Sequence, residues 1–396
     1  MILRQNLSAP SSIVRFQIGL AFLAFILIGA NDGAIGVLLP SLQRHYGVDK
    51  AIVGLLFLAS TTGYLAAAFS SGLLTEKLGT KLFLAVGAVS FLVGALAFAL
   101  MLPFAILLVM LLALGFGIAV IDAGLNSYIA AFARNAALLN YLHAFYGVGA
   151  LLGPLLATLV LAASWGWNSV YVIWAILSAM LVAGFALFFN GRGPAPHGET
   201  HAPETGNVLV AVLKLRVVWL ASLFLLLYVG AEASLGSWGY SFLTEERHEV
   251  AFVSGWIMSG YWMGLTGGRF LLGRAAQRVG NRRMIELCLA GVVVGVLLVW
   301  LAPGLPSAFG LWLTGFCLGP VYPTTIALMS QLAPSRLLPS AVGILASAGS
   351  LGAALFSWQA GNFAQAFGLW TLLPFVIATT LAMLLSWFAL TRSQST

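Results

Sequence analysis

The sequence predicts an all-α membrane protein: twelve transmembrane helices in two six-helix, pseudo-symmetric bundles. Three observations predict it. Hydrophobic residues make up 61% of the 396 residues and charged residues only 7%, against about 25% charge in a soluble globular domain. A bilayer core of roughly 30 Å takes about 20 apolar residues per helix, so the composition holds material for about a dozen spans and little for a soluble domain. Finally, features of several kinds superpose when the chain is slid over itself by 200 or 201 residues. A secreted globule, a cytosolic enzyme and a nucleic-acid binder are excluded, because none hides so much apolar surface from water.

The spans follow from apolar stretches punctuated by short polar or Gly/Pro segments. The first, 16–40, follows Arg4 and Arg15 in the manner of a secretory signal, but its apolar pattern resumes through Val37-Leu38-Leu39 after Asn31-Asp32, so it reads as an uncleaved helix. The next five are 51–73, 81–101, 104–132, 138–162 and 168–189, bounded by Asp49-Lys50, Gly79, Pro103, Arg134-Asn135 and Trp165-Gly166. A polar segment then runs from Asn190 to Arg216 and includes Gly191-Arg192-Gly193-Pro194-Ala195-Pro196-His197-Gly198-Glu199-Thr200-His201. It has no core-forming pattern and reads as a linker. The remaining spans are 217–242, 251–272, 284–302, 307–332, 338–364 and 369–390. The chain thus divides into 1–189, a linker at 190–216, and 217–396.

An even number of spans puts both termini on one side. Arg4, Arg15, Lys77, Lys81, Arg134, Arg192, Lys214, Arg216, Arg274, Arg278, Arg282, Arg283, Arg336 and Arg392 then share that side, against Arg44, Lys50 and Arg247 on the other. The positive-inside rule makes the terminal side, with both termini and the central linker, cytoplasmic, so the net charge of +7 is read as topogenic and an inner-membrane protein is expected. Cys288 and Cys317 fall in apolar runs and imply neither disulfide nor metal cluster.

An offset of 201 residues places Gly72, Gly79 and Lys81 on Gly273, Gly280 and Arg282, and one of 200 places Gly115-Phe116 on Gly315-Phe316, Gly149 on Gly349, Asp32 on Glu232 and Asp122 on Tyr322. Equal orientation of the copies makes this a parallel duplication. Such repeats are typical of secondary transporters, whose substrate site lies near mid-membrane at the repeat interface.

The loop Gly72-Leu73-Leu74-Thr75-Glu76-Lys77-Leu78-Gly79-Thr80-Lys81 resembles the signature of the major facilitator superfamily, and Gly273-Arg274-Ala275-Ala276-Gln277-Arg278-Val279-Gly280-Asn281-Arg282 repeats it with Gln277 in place of the acid. The resemblance covers essentially the whole chain and implies the major facilitator fold. It also implies a cytoplasmic gate made of Gly72, Glu76, Lys77, Gly79 and Lys81 with Gly273, Arg278, Gly280 and Arg282. Within the superfamily, Gly115-Phe116-Gly117-Ile118-Ala119-Val120-Ile121-Asp122-Ala123-Gly124-Leu125-Asn126 is similar to the fucose permease and its glucose-transporting relatives, as are Leu142-His143-Ala144-Phe145-Tyr146-Gly147-Val148-Gly149 and Tyr228-Val229-Gly230-Ala231-Glu232. Asp32 lies about a turn from where the fucose permease places its first-helix acid.

Ionisable groups inside a membrane cost roughly 2.5–3.5 kcal/mol each on insertion scales, so Asp32, Asp122 and Glu232, each near the middle of a span, are functional candidates. A carboxyl that releases its proton in only one access state couples proton movement to substrate movement; the competing account of each is a helix-packing hydrogen bond. Asn126 and Asn31 donate and accept, which suits a polyhydroxylated ligand or interhelical glue. His143, near the cytoplasmic end of its span, fits a proton relay or a gate contact. Sugars need aromatic platforms beside amides and acids, which Tyr228, Trp238, Trp262, Tyr322, Trp358 and Gln359 offer, although membrane aromatics also serve as packing and anchors. Glu286 is expected to pair with Arg282 or Arg283, and Arg269 to snorkel to the cytoplasmic interface. Pro154 and Pro323 are expected to interrupt helices.

His197 and His201 lack accompanying ligands, so no metal site is expected, and no Gly-x-x-x-x-Gly-Lys loop points to ATP. The expectation is a non-enzymatic, cofactor-free secondary transporter. It would be a monomer in lipid that symports a small sugar or related polar solute with protons by alternating access. An exporter of amphipathic or cationic compounds is the alternative.

Overall fold

The computed structural model describes residues 12–132, 136–189, 208–334 and 336–392. The linker segment 190–207, with His197 and His201, lies outside the described residues, as do Arg4 and Arg134. Within them the chain is all-α.

Ten helical stretches among the described residues are long and apolar enough to cross a bilayer, and one of them, Lys50–Ala99, is far too long for a single crossing. Its backbone leaves the helix at Gly79, where φ is 68° and ψ 166°, a conformation open to glycine and strained for other residues. Packing shows that the chain doubles back there. Gly63 lies against Leu112 and Gly94 against Leu114, so the arms on either side of Gly79 meet the same level of the following helix. Gly280, with φ at 91°, makes the equivalent joint 201 residues later, between Ala251–Val279 and Asn281–Leu301. Ala251–Val279 completes the twelve; its Gly, Ser and Trp content makes it less apolar than the rest.

The helices are therefore α1 Ser12–Tyr46, α2 55–78, α3 80–99, α4 Phe104–Phe132, α5 Ala136–Ala162, α6 Asn168–Phe188, α7 Arg216–Ser241, α8 Ala251–Val279, α9 Asn281–Leu301, α10 Leu305–Leu332, α11 Leu338–Phe367 and α12 Leu372–Arg392. Pro154 sits inside an unbroken α5, so it does not interrupt that helix: neighbouring groups tolerate the missing donor. In α10 the break falls at Gly319-Pro320, between Leu305–Leu318 and Val321–Leu332, which leaves Pro323 in the first turn of the second piece, where its missing N–H costs little.

The duplication is visible in packing as well as in sequence. Gly63 against Leu112 recurs as Gly264 against Trp312, Ser60 against Gly115 as Tyr261 against Gly315, and Gly94 against Leu114 as Gly295 against Thr314. In each case the helices approach so closely that a methyl group on the glycine would overlap the neighbouring backbone or, at Gly94 and Gly295, the Leu114 and Thr314 side chains, as expected where small residues set helix contacts in a bilayer.

The first six helices meet the last six through α1 on α7, α5 on α8 and α2 on α11. Gly36 abuts Gly236, Gly147 abuts Thr266, Gly255 abuts Thr158 and Gly54 abuts Trp358. Farther out, Lys50 Nζ pairs with Glu245 at 2.8 Å, and its main-chain N–H donates to Gln365 Oε1 at 3.1 Å. These junctions run from mid-helix to the ends opposite the termini, and they hold the halves together on that side. On the terminal side Gly72 and Gly273 stand in open space, where a methyl group would meet no neighbour within 4 Å. Glu76, Lys77 and Arg278 are exposed there. Among the described residues of the signature loops, Arg282 alone forms an ion pair, with Glu286 at 3.1 Å, as its spacing predicts.

Candidate functional site

α1 and α5 cross closely because each has glycines four residues apart, Gly29 and Gly33 on one, Gly149 and Gly153 on the other, facing the partner backbone. The crossing brings Tyr146 to Asp32, whose Oδ2 accepts its hydroxyl at 2.9 Å. Asn31 Nδ2 lies 3.4 Å from Oδ1. On α4, Asp122 accepts from Asn126 Nδ2 at 2.9 Å and from the Tyr64 hydroxyl of α2 at 3.4 Å. The i,i+4 spacing of Asp122 and Asn126 thus produces a direct bond, and the amide also donates to the Asp122 carbonyl at 3.0 Å.

Glu232 on α7 accepts the hydroxyl of Tyr228, one turn earlier on the same helix. Its other oxygen lies 3.6 Å from Arg269 Nη2 of α8, and Tyr261 donates to its main-chain carbonyl at 2.9 Å. Arg269 therefore does not snorkel. Glu232 holds it within the bundle, because a counter-charge one helix away offsets the desolvation that would otherwise drive the guanidinium outward.

These groups form one cluster. Tyr322 faces Tyr228 with ring centroids 6.4 Å apart and is within electrostatic reach of Asp122, Glu232 and Arg269. Tyr64 likewise senses Asp32, Asp122 and Tyr322, and Tyr146 senses Asp32, Glu232 and Arg269. Among the described residues the arrangement holds three carboxyls with a single guanidinium, edged by phenols and the amides of Asn31 and Asn126. Such a set can exchange protons and hydrogen-bond hydroxyls.

Of the residues singled out from sequence, the structure brings Asp32, Asn31, Asp122, Asn126, Tyr228, Glu232 and Tyr322 together. Others stand apart. Trp238 is fully buried and its indole donates to the Ser357 carbonyl at 2.8 Å, which ties α7 to α11. Trp358 packs on Gly54 near the side opposite the termini, and Gln359 lines a crevice between α11 and α12 with Leu355, Phe356 and Phe375. Trp262 lies against Gly236. His143 is exposed, edge-on to Phe25 at 5.6 Å, and within electrostatic reach of Arg269. Tyr64, Tyr146, Tyr261 and Arg269 were not singled out as site residues from sequence. Arg269 carried a signal, being the one base inside a span, whereas tyrosines in an aromatic-rich chain carry little.

A sequence profile described as Major Facilitator Superfamily matches residues 21–253 and 240–396. Bypass of stop codon protein 6 of Saccharomyces cerevisiae is 26% identical over 90% of this chain and 78% of its own length. The glucose/mannose transporter of Bacillus subtilis is 21% identical over 87% of each chain, and the 3-(3-hydroxy-phenyl)propionate transporter of Escherichia coli is 27% identical over 87% and 86%. Among solved structures, a bacterial homologue of the human lysosomal transporter Spinster superposes with a TM-score of 0.82 over 97% of this chain and 98% of its own, at 15% identity. The fucose:proton symporter of E. coli superposes at 0.64 over 96% and 99%, at 18% identity.

Proposed function

The chain belongs to the major facilitator superfamily, and from that premise we propose that this integral membrane transporter moves a small sugar or related polar solute together with protons. The observation that carries the reading is the cluster of Asp32, Asp122 and Glu232, each bonded to a tyrosine hydroxyl, of which Glu232 alone pairs with a cation, Arg269, among the described residues. Asp122 and Glu232 are the proton carriers, Asp32 a further one, and Asn126, Asn31, Tyr228 and Tyr322 grip hydroxyls and sugar faces. The names of the glucose/mannose transporter and the fucose:proton symporter among the similar proteins support this substrate class.

Transport proceeds by alternating access. Residues 1–189 rock against 217–396 about the cluster, with 190–216 as their tether. The basic residues of the terminal side set both termini in the cytoplasm of an inner-membrane monomer. Lys50, Glu245 and Gln365 then close the outer face, and the loops at Gly72–Lys81 and Gly273–Arg282 close the inner face in the opposite state. Uptake into proteoliposomes of labelled hexoses and deoxyhexoses, with and without an inward proton gradient, tests the reading. Gradient-driven accumulation that is lost in both Asp122→Asn and Glu232→Gln is expected; accumulation unchanged in both variants overturns it.

One observation favours a second reading. Among the described residues Asp32 and Asp122 have no ion-pair partner, so an amphipathic cation exchanged for protons would also fit. Efflux of lipophilic cations without any sugar response would establish that exporter instead.

A further inference from the structure

α8 carries a run of side-chain donors that no protein group among the described residues satisfies. The indole N–H of Trp262, the hydroxyl of Thr266 and Nε of Arg269 are all buried without a hydrogen-bond partner. Residues 262, 266 and 269 follow an i, i+4, i+7 pattern, so the three fall on one helical face, spread over about 10 Å. That face looks into the junction of the two halves. The Trp262 ring lies on Gly236, where α7 itself is crossed by Gly36 of α1. A methyl group on Gly147 of α5 would stand 2.7 Å from the Thr266 hydroxyl. Arg269 reaches Glu232 at 3.6 Å and lies within electrostatic reach of Tyr146 and His143.

The chemistry of this stripe is one-sided. Indole and guanidinium only donate, and a hydroxyl can turn to donate. Buried donors without acceptors are costly, most of all inside a bilayer. A neutral polyol would answer each donor with an oxygen but would bring a further donor that itself needs an acceptor. A carboxylate brings acceptor positions and a charge, and guanidinium meets it with paired bonds. The acceptors that hydroxyls need stand on the other half, on Asp32, Asp122 and Asn126.

We propose that the solute is a hydroxylated monocarboxylate whose carboxylate docks on Arg269 and whose hydroxyl oxygens accept from Thr266 and Trp262 farther along the same face. This rests on the proton-symport reading above and narrows its substrate. Glu232 is then the internal counter-charge of Arg269: a proton taken up by Glu232 releases the guanidinium to the incoming carboxylate, so proton and anion enter together and Arg269 always has a partner.

The test uses the full-length protein with matched probes: D-gluconate, D-glucuronate and 4-hydroxyphenylacetate against D-glucitol, D-glucose and 4-hydroxyphenylethanol. Binding is read by tryptophan fluorescence in detergent and accumulation in proteoliposomes under an inward proton gradient. At least one acid is expected to bind about tenfold or more tighter than its neutral partner. Thr266→Val, which keeps shape and removes a donor, and Trp262→Phe, which removes the indole N–H, should each weaken that acid about five- to tenfold. Arg269→Lys should retain part of the binding that Arg269→Gln loses. Accumulation of neutral probes but of no acid overturns this inference and leaves sugar symport standing. Neither binding nor accumulation of any probe overturns both. Acid binding unmoved in Trp262→Phe and Thr266→Val, with melting curves like the parent's, overturns the docking stripe alone.

Discussion

Glu232→Gln removes the counter-charge of Arg269 while keeping the shape of the side chain and an acceptor for Tyr228. The pair is separated by 3.6 Å, with side chains 12% and 32% exposed. At an effective dielectric constant of about 20 two unit charges at that distance attract by about 4–5 kcal/mol. Breaking a buried pair from one side costs about 3–5 kcal/mol, because the remaining charge is left uncompensated. The partial exposure of Arg269 lowers this, and about 2–3 kcal/mol of destabilisation is expected. Arg269→Gln should cost less, since the Glu232 carboxyl can take up a proton and become neutral. The double variant Glu232→Gln/Arg269→Gln leaves no charge behind and should regain most of the loss, giving a coupling energy of about 2 kcal/mol. Unfolding of the purified protein in mixed micelles by stepwise addition of SDS measures all four corners of the cycle. Additive losses, or a Glu232→Gln variant as stable as the parent, would refute the reasoning that these two groups hold each other in the bundle.

Asp122→Asn should abolish accumulation driven by a proton gradient while leaving solute exchange across equilibrated vesicles, because it deletes the proposed proton carrier but keeps a hydrogen-bonding group beside Asn126. Lys50→Met loses a pair whose side chains are 19% and 38% exposed, worth at most about 1 kcal/mol; labelling of a cysteine placed at Asn362 from the side opposite the termini should rise by no more than about fivefold. Gly115→Ala and Gly315→Ala drive a methyl group into the carbonyls of Ser60 and Tyr261; each should cost about 1–3 kcal/mol, and the two should add, whereas Gly72→Ala, in open space, should leave thermal stability unchanged.

Helix number and the duplication were legible because both rest on patterns that a bilayer enforces residue by residue: apolar length for each span, and small residues wherever backbones touch. Gly79 and Gly280 marked the tight joints at matched positions, and the structure uses both for positive φ. Elements were harder where one residue type serves two ends. Pro154 is carried inside α5, whereas the break in α10 belongs to Gly319-Pro320, a distinction set by which neighbours repair the missing hydrogen bond. In the site, the acids stood out because charge in a span is rare, and Tyr228 stood out through its spacing from Glu232. Tyr64, Tyr146 and Tyr261 reach their acceptors from other helices, so their partners are fixed by helix crossing and leave no local periodicity. Arg269 was visible as a base out of place, but only the meeting of α7 and α8 shows that Glu232 keeps it inside. Trp238 illustrates the converse: its position beside Glu232 suggested ligand contact, while its indole is committed to the Ser357 carbonyl.

The central claim is that a carboxyl cluster at the junction of the two halves couples protons to solute. Solute uptake into proteoliposomes under an imposed inward proton gradient, compared between the parent and Asp122→Asn at equal reconstitution, tests it most directly. Uphill accumulation in the parent, with only equilibration in the variant, is the predicted result. Uphill accumulation of the same size in Asp122→Asn, or none in the parent for any hexose, deoxyhexose or hydroxylated carboxylate, would contradict it.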